Sequence, residues 1–518
     1  MSSTPIDAAA IFTPDPAPEA WLVIFPVVLC LVTGAALAMI RRAIAFHAPV
    51  AIASLAALCV VDALLLARVA AHGPLNMVMG RWLPPFGIAF TVDILGAALA
   101  LVAALIALGG AVYALADVDA ARRRYGFYPF LLFLMAGVSG AFLTGDIFNL
   151  YVWFEVLLIA SFGLIVLGGE PEQIDGAMKY GLLNLVGTTL FLIAVGYLYA
   201  IFGTLNMADI AIKIARPDGE WPLMTLGTLF FAAFAMKAAA FPVNFWLPAS
   251  YHTPRIAVSG LFAGLLTKVG IYAMLRVLVM LMPAVTAALA PLVSVVAILT
   301  MLSGAVGAVA QTDLRRALGY WVVSGIGVML AGIALGGATA LTAVIFYAFH
   351  SMVVMTALYL LAGLAARRAG GFDIAATGGL WTSAPLLSAL TLALFFSVAG
   401  LPPFSGFWPK AMLVSAALEG GRGWLAGAIL FSGFLVTFAA GRIFLLAFWR
   451  PGAEPRDAAG RSPQPLPAAS LFVLVLLTLA TTAAGLWPEP VIALSKAAAL
   501  ALMEPAPYIE AVFPEPRR

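Results

Sequence analysis

The sequence predicts an all-α polytopic membrane protein with about fourteen transmembrane helices, and its composition, its repeated apolar stretches and the spacing of its basic residues support this class. Of 518 residues, 64% are hydrophobic and 10% are charged. This leaves too little polar surface to cover a water-soluble globule of that size. A bilayer core needs about 20 apolar residues for each helical crossing, and such stretches recur with short polar connections between them. We therefore predict no separate soluble domain.

Fourteen apolar stretches are long enough to cross a bilayer. They cover residues 21–40, 49–69, 91–115, 128–145, 147–168, 178–203, 223–248, 256–280, 283–309, 317–336, 339–365, 383–415, 422–449 and 468–488. The last stretch, 489–513, is shorter, and Lys496 and Glu504 interrupt its alanine-rich apolar face. We predict an interfacial helix and tail there.

Basic residues alternate between frequent and rare in successive connections. After odd-numbered spans they are frequent, at Arg41, Arg42, Arg122 to Arg124, Arg255, Arg315, Arg316, Arg367, Arg368, Arg450, Arg456 and Arg461. After even-numbered spans they are few, chiefly Arg81, Lys213, Arg216 and Arg422. Because positive charge in short loops stays in the cytoplasm, both termini are expected on the outer face.

The seventh and twelfth spans are predicted to be broken helices. The seventh contains Pro242 in MKAAAFPVNFWLP, and the twelfth contains Pro402 and Pro403 in SVAGLPPFSGFWPK. Proline removes a helical hydrogen bond, and freed backbone groups are tolerated in a bilayer only against protein or water. Two matching breaks five spans apart are the pattern of structural repeats that line an ion path. Taken alone, the prolines are equally compatible with kinks that serve packing.

Four ionisable side chains are predicted at membrane depth. Glu155 lies about two helical turns, on the order of 12 Å, inside the fifth span. Lys237 precedes the first break, Lys268 lies within the eighth span, and Lys410 follows the second break. A charge at this depth costs several kcal/mol and is rarely kept without a partner or a task. For Lys410 the alternative is an ammonium that reaches to the interface.

Glu155 and Lys237 are interpreted as a switchable pair. Burial favours the neutral form of each group, whereas their mutual attraction favours both charged forms. A lysine balanced in this way can release and regain a proton, with Lys268 as the next carrier and Lys410 as the carrier in the second half. The alternative is a permanent salt bridge that joins helices.

Histidines and aspartates add supporting positions. His350, in the eleventh span, is a candidate relay between the halves, because histidine changes charge near neutral pH, with packing as the alternative. His252, just beyond the first break, is either a proton-uptake group or a loop residue. Asp62, Asp93 and Asp146 are predicted near span ends, and Asp146 is expected to cap the helix that carries Glu155.

No enzyme signature competes with this interpretation. The sequence has no HExxH motif, no glycine-rich phosphate loop in a strand–turn–helix context and no CxxC motif. Cys30 and Cys59 are interpreted as buried apolar residues. We therefore predict no cofactor, no bound metal and no enzymatic activity of the chain itself.

Several long motifs carry a family resemblance. The segments GDIFNLYVWFEV, FAMKAAAFPVNFWLPASYHTP, AVSGLFAGLLTKVGIYAMLRV and LPPFSGFWPK resemble the proton-translocating family shared by Mrp-type cation/proton antiporters and respiratory complex I. The run LPASYHTPRIAVSGLFAGLLTKVG, with GTLNMADIA and EPAPYIEAVF, is most similar to the D-type subunits of the Mrp antiporters, which are also called Pha or Mnh systems. The resemblance covers residues 91–513.

The resemblance implies a bacterial inner-membrane subunit with two inverted five-helix repeats. The implied division is an N-terminal part at 1–127, repeats at 128–280 and 283–449, and a final helix and tail at 450–518. By motif position, Glu155, Lys237, Lys268 and Lys410 match the functional charges of the family, and His350 matches a polar member of its eleventh helix. Implied partners are the other Mrp-type subunits, of the A, B, C, E, F and G types, in a hetero-oligomeric complex.

Two positions depart from the family pattern. Where relatives usually have a lysine five residues after the eleventh-helix histidine, this chain has Met355, and the tenth-helix segment reads DLRRALGYWVVS. Both changes remove polar groups from the second half. The expected function is exchange of Na⁺, or of K⁺ or Li⁺, for protons; the alternatives are a complex I or hydrogenase subunit and a structural scaffold. The transported cation, the stoichiometry and the operon cannot be read from the sequence.

Overall fold

The structure, a computed structural model, describes residues 15–216, 221–451 and 465–514. Within these residues eleven helices are long and apolar enough to cross a membrane, and three shorter apolar helices occur at Phe127–Leu143, Leu223–Lys237 and Pro385–Ala399. A polytopic helical membrane protein is therefore confirmed, whereas fourteen as the number of crossings stays a prediction.

The α-helices follow one another with short connections. In chain order they are α1 Trp21–Met39, α2 Ile44–His72, α3 Ile94–Asp117, α4 Ala120–Arg124, α5 Phe127–Leu143, α6 Ile147–Ile165, α7 Pro171–Phe202, α8 Met207–Ile214, α9 Leu223–Lys237, α10 Trp246–Tyr251, α11 Ile256–Met274, α12 Pro283–Ala310, α13 Leu314–Leu335, α14 Gly337–Ala369, α15 Leu380–Ser383, α16 Pro385–Ala399, α17 Phe407–Glu419, α18 Gly423–Ile443, α19 Ala468–Leu486, α20 Glu489–Met503 and α21 Ala506–Val512. A π-helical turn extends α11 over Leu275–Leu281, and a second extends α18 over Phe444–Trp449.

The two predicted helix breaks are present. The seventh span consists of α9 and α10, which are separated by residues 238–245. The twelfth consists of α16 and α17, and Gly400 ends α16 in the left-handed conformation at φ 84°. Polar side chains satisfy part of the freed backbone, since the Phe241 amide donates to Thr300 Oγ1 at 3.0 Å. This is the compensation that a membrane requires of non-helical backbone.

Helix α7 begins seven residues before the predicted span at 178. Pro171 occupies its first turn, and Glu170 and Gln173 form a reciprocal capping box. These residues start a helix well but are too polar for the bilayer core. The apolar stretch marked only the part that can lie in lipid, and the helix continues beyond it.

A short β-hairpin was not predicted and modifies the all-α assignment. Strands β1, Leu75–Val78, and β2, Ala89–Val92, pair antiparallel between α2 and α3. The Gly145 amide donates to the Ala89 carbonyl at 2.8 Å. The hairpin therefore covers the start of α6, the helix that carries Glu155.

Three helices form the inner layer of the bundle. In α11 and α14, 94% of the most apolar 18-residue stretch is buried, and in α13 the share is 89%. The peripheral helices α1 and α2 bury only 33% and 28% of theirs. Residues Lys268 and His350 are thus carried by the two most enclosed helices.

One backbone pairing occurs twice, at opposite ends of α7. Residues 145–147 pair with 205–207, which follow the end of α7. In the same way residues 312–314 pair with 372–374, and Asp313 lines the same cavity as Glu172, which is in the first turn of α7. Aspartates at equivalent positions, Asp146 and Asp313, cap the following helices α6 and α13.

Part of the sequence prediction concerns residues that the structure does not describe. Arg456 and Arg461 lie outside the described residues, as do residues 1–14 of the predicted N-terminal part and residues 452–464 and 515–518 of the C-terminal part. The stretch predicted to be interfacial forms α20 and α21, and α20 packs along α14 and α3.

Candidate functional site

Glu155 and Lys237 are neighbours but do not form a closed ion pair among the described residues. Lys237 is the last residue of α9, is 5% exposed, and lies with its Nζ 5.7 Å from the ring centroid of Phe154. Neither Lys237 Nζ nor Glu155 Oε1 has a hydrogen-bond partner in the part of the chain described. Among the described residues, the Glu155 carboxylate is the charged group that acts on this ammonium. The pair is thus electrostatically coupled and open.

Lys268 lies in the middle of the inner helix α11 and is 1% exposed. Its Nζ donates to the Ala263 carbonyl at 2.6 Å. Nearby, the Thr267 hydroxyl is buried without a partner among the described residues. A single carbonyl leaves two of the three ammonium donors unused, so the site has capacity for a water molecule or a second acceptor.

His350 connects the two broken-helix regions. It is 4% exposed on α14, and Lys268 and Lys410 are the two charges that act on its ring. Its Nδ1 lies 2.8 Å from Ser405 Oγ, between α16 and α17, whereas Nε2 has no partner among the described residues. One ring nitrogen is therefore held by a hydroxyl, and the other is buried without a partner in the part of the chain that the structure describes.

A cluster of hydroxyl groups below His350 was missed by the sequence analysis. Ser397 Oγ lies 2.9 Å from Thr481 Oγ1 and 3.3 Å from Ser405 Oγ, so α16, the break and α19 meet in one hydroxyl network. Serine and threonine are common in apolar helices, and their spacing along the chain gives no signal that they converge. The network adds polar atoms to the second half, in which Met355 stands where the family pattern has a lysine.

Lys410 is held at the second break. Its Nζ donates to the Val398 carbonyl at 3.0 Å and to the Ala399 carbonyl at 2.8 Å. These carbonyls lie at the end of α16, where the helix stops and its acceptors are free. The ammonium is thus directed back into the bundle and is half-buried.

Helix α11 contacts both the first break and α14, the helix of the second half that carries His350. Helix α11 packs on the first break so closely that a Cβ on Gly270 would lie 3.0 Å from the Ala238 amide nitrogen. Farther along the same helix, Thr356 of α14 donates to the Gly260 carbonyl at 3.0 Å. Helix α11 therefore packs against both α9 and α14. The three helices place the buried residues Lys237, Lys268 and His350 one after another inside the bundle.

His252 follows α10, on the other side of the first break from Lys237, and lines a cavity of about 290 Å³. Its Nδ1 is 2.9 Å from the Pro248 carbonyl and its Nε2 is 3.0 Å from Arg316 Nη2. A carbonyl accepts and a guanidinium donates, so this geometry selects the neutral ring with the proton on Nδ1. Burial and the neighbouring Arg316 charge lower the pKa of His252.

Asp93 and Asp146 lie at helix starts, close to the predicted span ends, whereas Asp62 does not. Asp146 caps α6 as expected, since its Oδ1 accepts from the Asn149 amide at 2.7 Å. Asp93 caps α3 and also pairs with Arg276, which is fully buried on the π-helical turn after α11. Asp62 was wrongly predicted near a span end: α2 runs on to His72, and the buried carboxylate has no partner among the described residues. Hydropathy underestimated the length of α2.

Residues 144–436 match the sequence family described as NADH:quinone oxidoreductase/Mrp antiporter, transmembrane. The chain is 36% identical over 95% of its length to the D-type subunit of the Na⁺/H⁺ antiporter of Alkalihalophilus pseudofirmus, of which it covers 99%. It is similar to a chain of the Mrp complex from Dietzia sp. DQ12-45-1b, with a TM-score of 0.88, 30% identity and coverage of 96% of this chain and 100% of that one. A chain of an archaeal membrane-bound sulfane sulfur reductase matches with a TM-score of 0.85, 25% identity and coverage of 95% and 99%.

The described site residues lie within or beside the matched segment, and the match to the D-type antiporter protein runs over nearly the whole of both chains. The chain belongs to the NADH:quinone oxidoreductase/Mrp antiporter family of membrane subunits.

Proposed function

We propose that the chain is a proton-carrying membrane subunit of a multi-subunit antiporter that exchanges a monovalent cation, Na⁺ or alternatively K⁺ or Li⁺, for protons. The observation that carries the proposal is the series of basic groups Lys237, Lys268, His350 and Lys410, which starts beside Glu155; the first three are buried and Lys410 is half-buried. Four such groups in an apolar bundle are costly. The name of the D-type relative, a Na⁺/H⁺ antiporter subunit, supports Na⁺ as the cation and its exchange for protons.

The proton path begins with the open pair of Glu155 and Lys237. An ammonium without a hydrogen-bond partner is poorly stabilised at this depth, so its charge depends on the nearby carboxylate and on any water that enters. When the Glu155 carboxylate is neutralised, Lys237 loses its main stabilising interaction and releases its proton toward Lys268. His350 then passes the charge between Lys268 and Lys410, which the carbonyls at the second break hold.

The supporting residues control access to this series. The breaks at Pro242 and at Pro402 and Pro403 expose carbonyls inside the bundle, where an ammonium or water binds them. His252, on its small cavity, is the uptake group at the arginine-rich face. Asp146 fixes the start of α6 and thereby the depth of Glu155.

The division into two inverted repeats, 128–280 and 283–449, is part of the proposal. It is supported by the two matching breaks and by the backbone pairing that recurs at opposite ends of α7. Helices α1 to α3 and the segment after residue 450 flank the repeats. The described arginines on one face favour a bacterial inner-membrane orientation with both termini on the periplasmic side.

The chain is proposed to act only within a complex. The relatives are named as a D-type antiporter subunit and as part of an Mrp complex, and this supports partners of the A, B, C, E, F and G types. A second candidate is an antiporter-like subunit of a respiratory or hydrogenase complex, which is favoured by the likeness to the sulfane sulfur reductase chain. A structural scaffold is the third.

The test is cation/proton exchange by the whole complex in membrane vesicles, with Na⁺, K⁺ and Li⁺ compared for wild type and Lys237→Ala. We expect exchange with at least one cation by wild type and its loss in the variant, with the complex still assembled. Lys179→Ala is the matched control, because Lys179 is exposed on α7 and, among the described residues, pairs with Asp175 alone. Full exchange by assembled Lys237→Ala would indicate a scaffold, and no exchange by wild type with any cation would favour the respiratory alternative.

A further inference from the structure

The arginine-rich end of the bundle contains a cavity of about 490 Å³ outside the proposed proton series. The ends of α3 and α14 and the starts of α11 and α19 surround it, and Arg255, Arg315, Arg367 and Arg368 line it. Two carboxylates, Asp117 and Glu170, also line it. The lining therefore carries twice as many guanidinium groups as carboxylates.

Three of these guanidinium groups have few partners in the part of the chain that the structure describes. Arg367 donates once, to the Ala116 carbonyl at 3.3 Å, and Arg368 donates once, to the Ser383 carbonyl. The Arg368 Nε is buried without a partner among the described residues, and Arg255 forms one long ion pair, with 3.6 Å between its Nη2 and Asp119 Oδ2. Each guanidinium offers five donors, so most of them remain unused.

The carboxylates of the cavity, in contrast, are already engaged. Glu170 pairs with Arg122, which lies outside the lining, and Asp117 accepts the Ala257 amide at the start of α11 at 2.9 Å. The fourth arginine, Arg315, forms an ion pair with Asp313. The unused charge that faces the cavity is accordingly positive.

We propose that this cavity binds the phosphate of an anionic phospholipid headgroup, held by Arg255, Arg367 and Arg368. Planar guanidinium groups bind phosphate oxygens in bidentate fashion, and basic pockets between transmembrane helices at the cytoplasmic side take such headgroups. The cavity lies where apolar helices end, and the ends of membrane-spanning helices meet the headgroup region of a bilayer. Ser470 of α19 lines it, and the outward side of α19 exposes Phe472 and Leu476, so the cavity borders a lipid-facing helix.

The experiment measures lipid retention by the whole complex, delipidated in detergent, with native mass spectrometry. Added phosphatidylglycerol is expected to bind more tightly than phosphatidylcholine. Arg367→Gln/Arg368→Gln is expected to weaken phosphatidylglycerol binding about tenfold or more, since each lost charge-assisted contact contributes on the order of a tenfold factor. Arg124→Gln is the matched control, because Arg124 is exposed on the same face and does not line the cavity.

Three results overturn the proposal. They are unchanged binding by the double variant, equal binding of phosphatidylcholine, and displacement of the lipid by inorganic phosphate at equal affinity, which would assign the cavity to a free anion. If the double variant does not assemble, Arg255→Gln replaces it, since this side chain is 41% exposed. A several-fold loss of binding supports the site, and no loss overturns it.

Discussion

The close contact between α11 and α14 sets the distance between Lys268 and His350. A substitution of Gly264, which lies in this contact, tests whether the spacing matters. A Cβ at residue 264 would lie 2.2 Å from Thr356 Oγ1 and 3.1 Å from the Met352 carbonyl oxygen, where ordinary contact begins at 3.4 Å. The Thr356 hydroxyl must therefore rotate away and give up its hydrogen bonds, or the helices must move apart. We expect Gly264→Ala to destabilise the chain by about 2 kcal/mol, as overpacking costs up to about 3 kcal/mol and alanine returns about 1 kcal/mol of helix preference.

Thr356→Ala is the partner substitution. It removes the hydroxyl that donates to Gly260 and to Met352, and an interhelical hydrogen bond in a membrane contributes about 1 kcal/mol. Because the double variant no longer places a methyl group against Oγ1, its loss should be smaller than the sum of the single losses by about 1 kcal/mol or more.

The assay is the free energy of unfolding of the purified complex in detergent, with exchange in vesicles as a second readout. Gly196→Ala of α7 is the control, because nothing lies within 4 Å of its Cβ position. Strictly additive losses for the two single variants would refute the contact. Full exchange by Gly264→Ala would refute the importance of this spacing for transport.

Two further predictions concern the ends of the series. Arg316→Gln keeps a donor for His252 Nε2 but removes a positive charge, so the pKa of His252 should rise. A larger fraction of His252 is then protonated at a given pH. The acidic limb of the exchange-versus-pH profile should therefore shift to higher pH. An unshifted profile would exclude His252 as the uptake group. Gly400→Ala forces a side chain into the left-handed region at φ 84°, with its Cβ 2.6 Å from Lys410 Cδ, so exchange should fall, whereas Gly427→Ala, with nothing within 4 Å, should leave exchange intact.

The sequence predicted most of the helices and both breaks, because apolar length and proline are local signals. It underestimated α2 and α7, since hydropathy marks only the part of a helix that can lie in lipid. The β-hairpin escaped because its strands have four residues each.

The burial of Lys237 and Lys268 could be predicted from the sequence, but the contacts of the charged residues could not. The gap between Glu155 and Lys237, the hydroxyl network at Ser405 and the carbonyls that hold Lys410 depend on residues far apart in the chain. The spacing of residues along the chain does not show which of them meet in the fold. The sequence analysis also overlooked Arg276, although a charged residue inside an apolar span usually has a partner.

The central claim, that Lys237 gives up and regains a proton, is tested most directly by Lys237→Arg in the reconstituted complex. Arginine keeps the positive charge beside Glu155 and Phe154 but does not release its proton at any working pH. We predict that assembly is retained and that exchange falls to background, while Lys179→Arg exchanges like wild type. Substantial exchange by Lys237→Arg would mean that a fixed positive charge is sufficient at this position, and would contradict the proposed path.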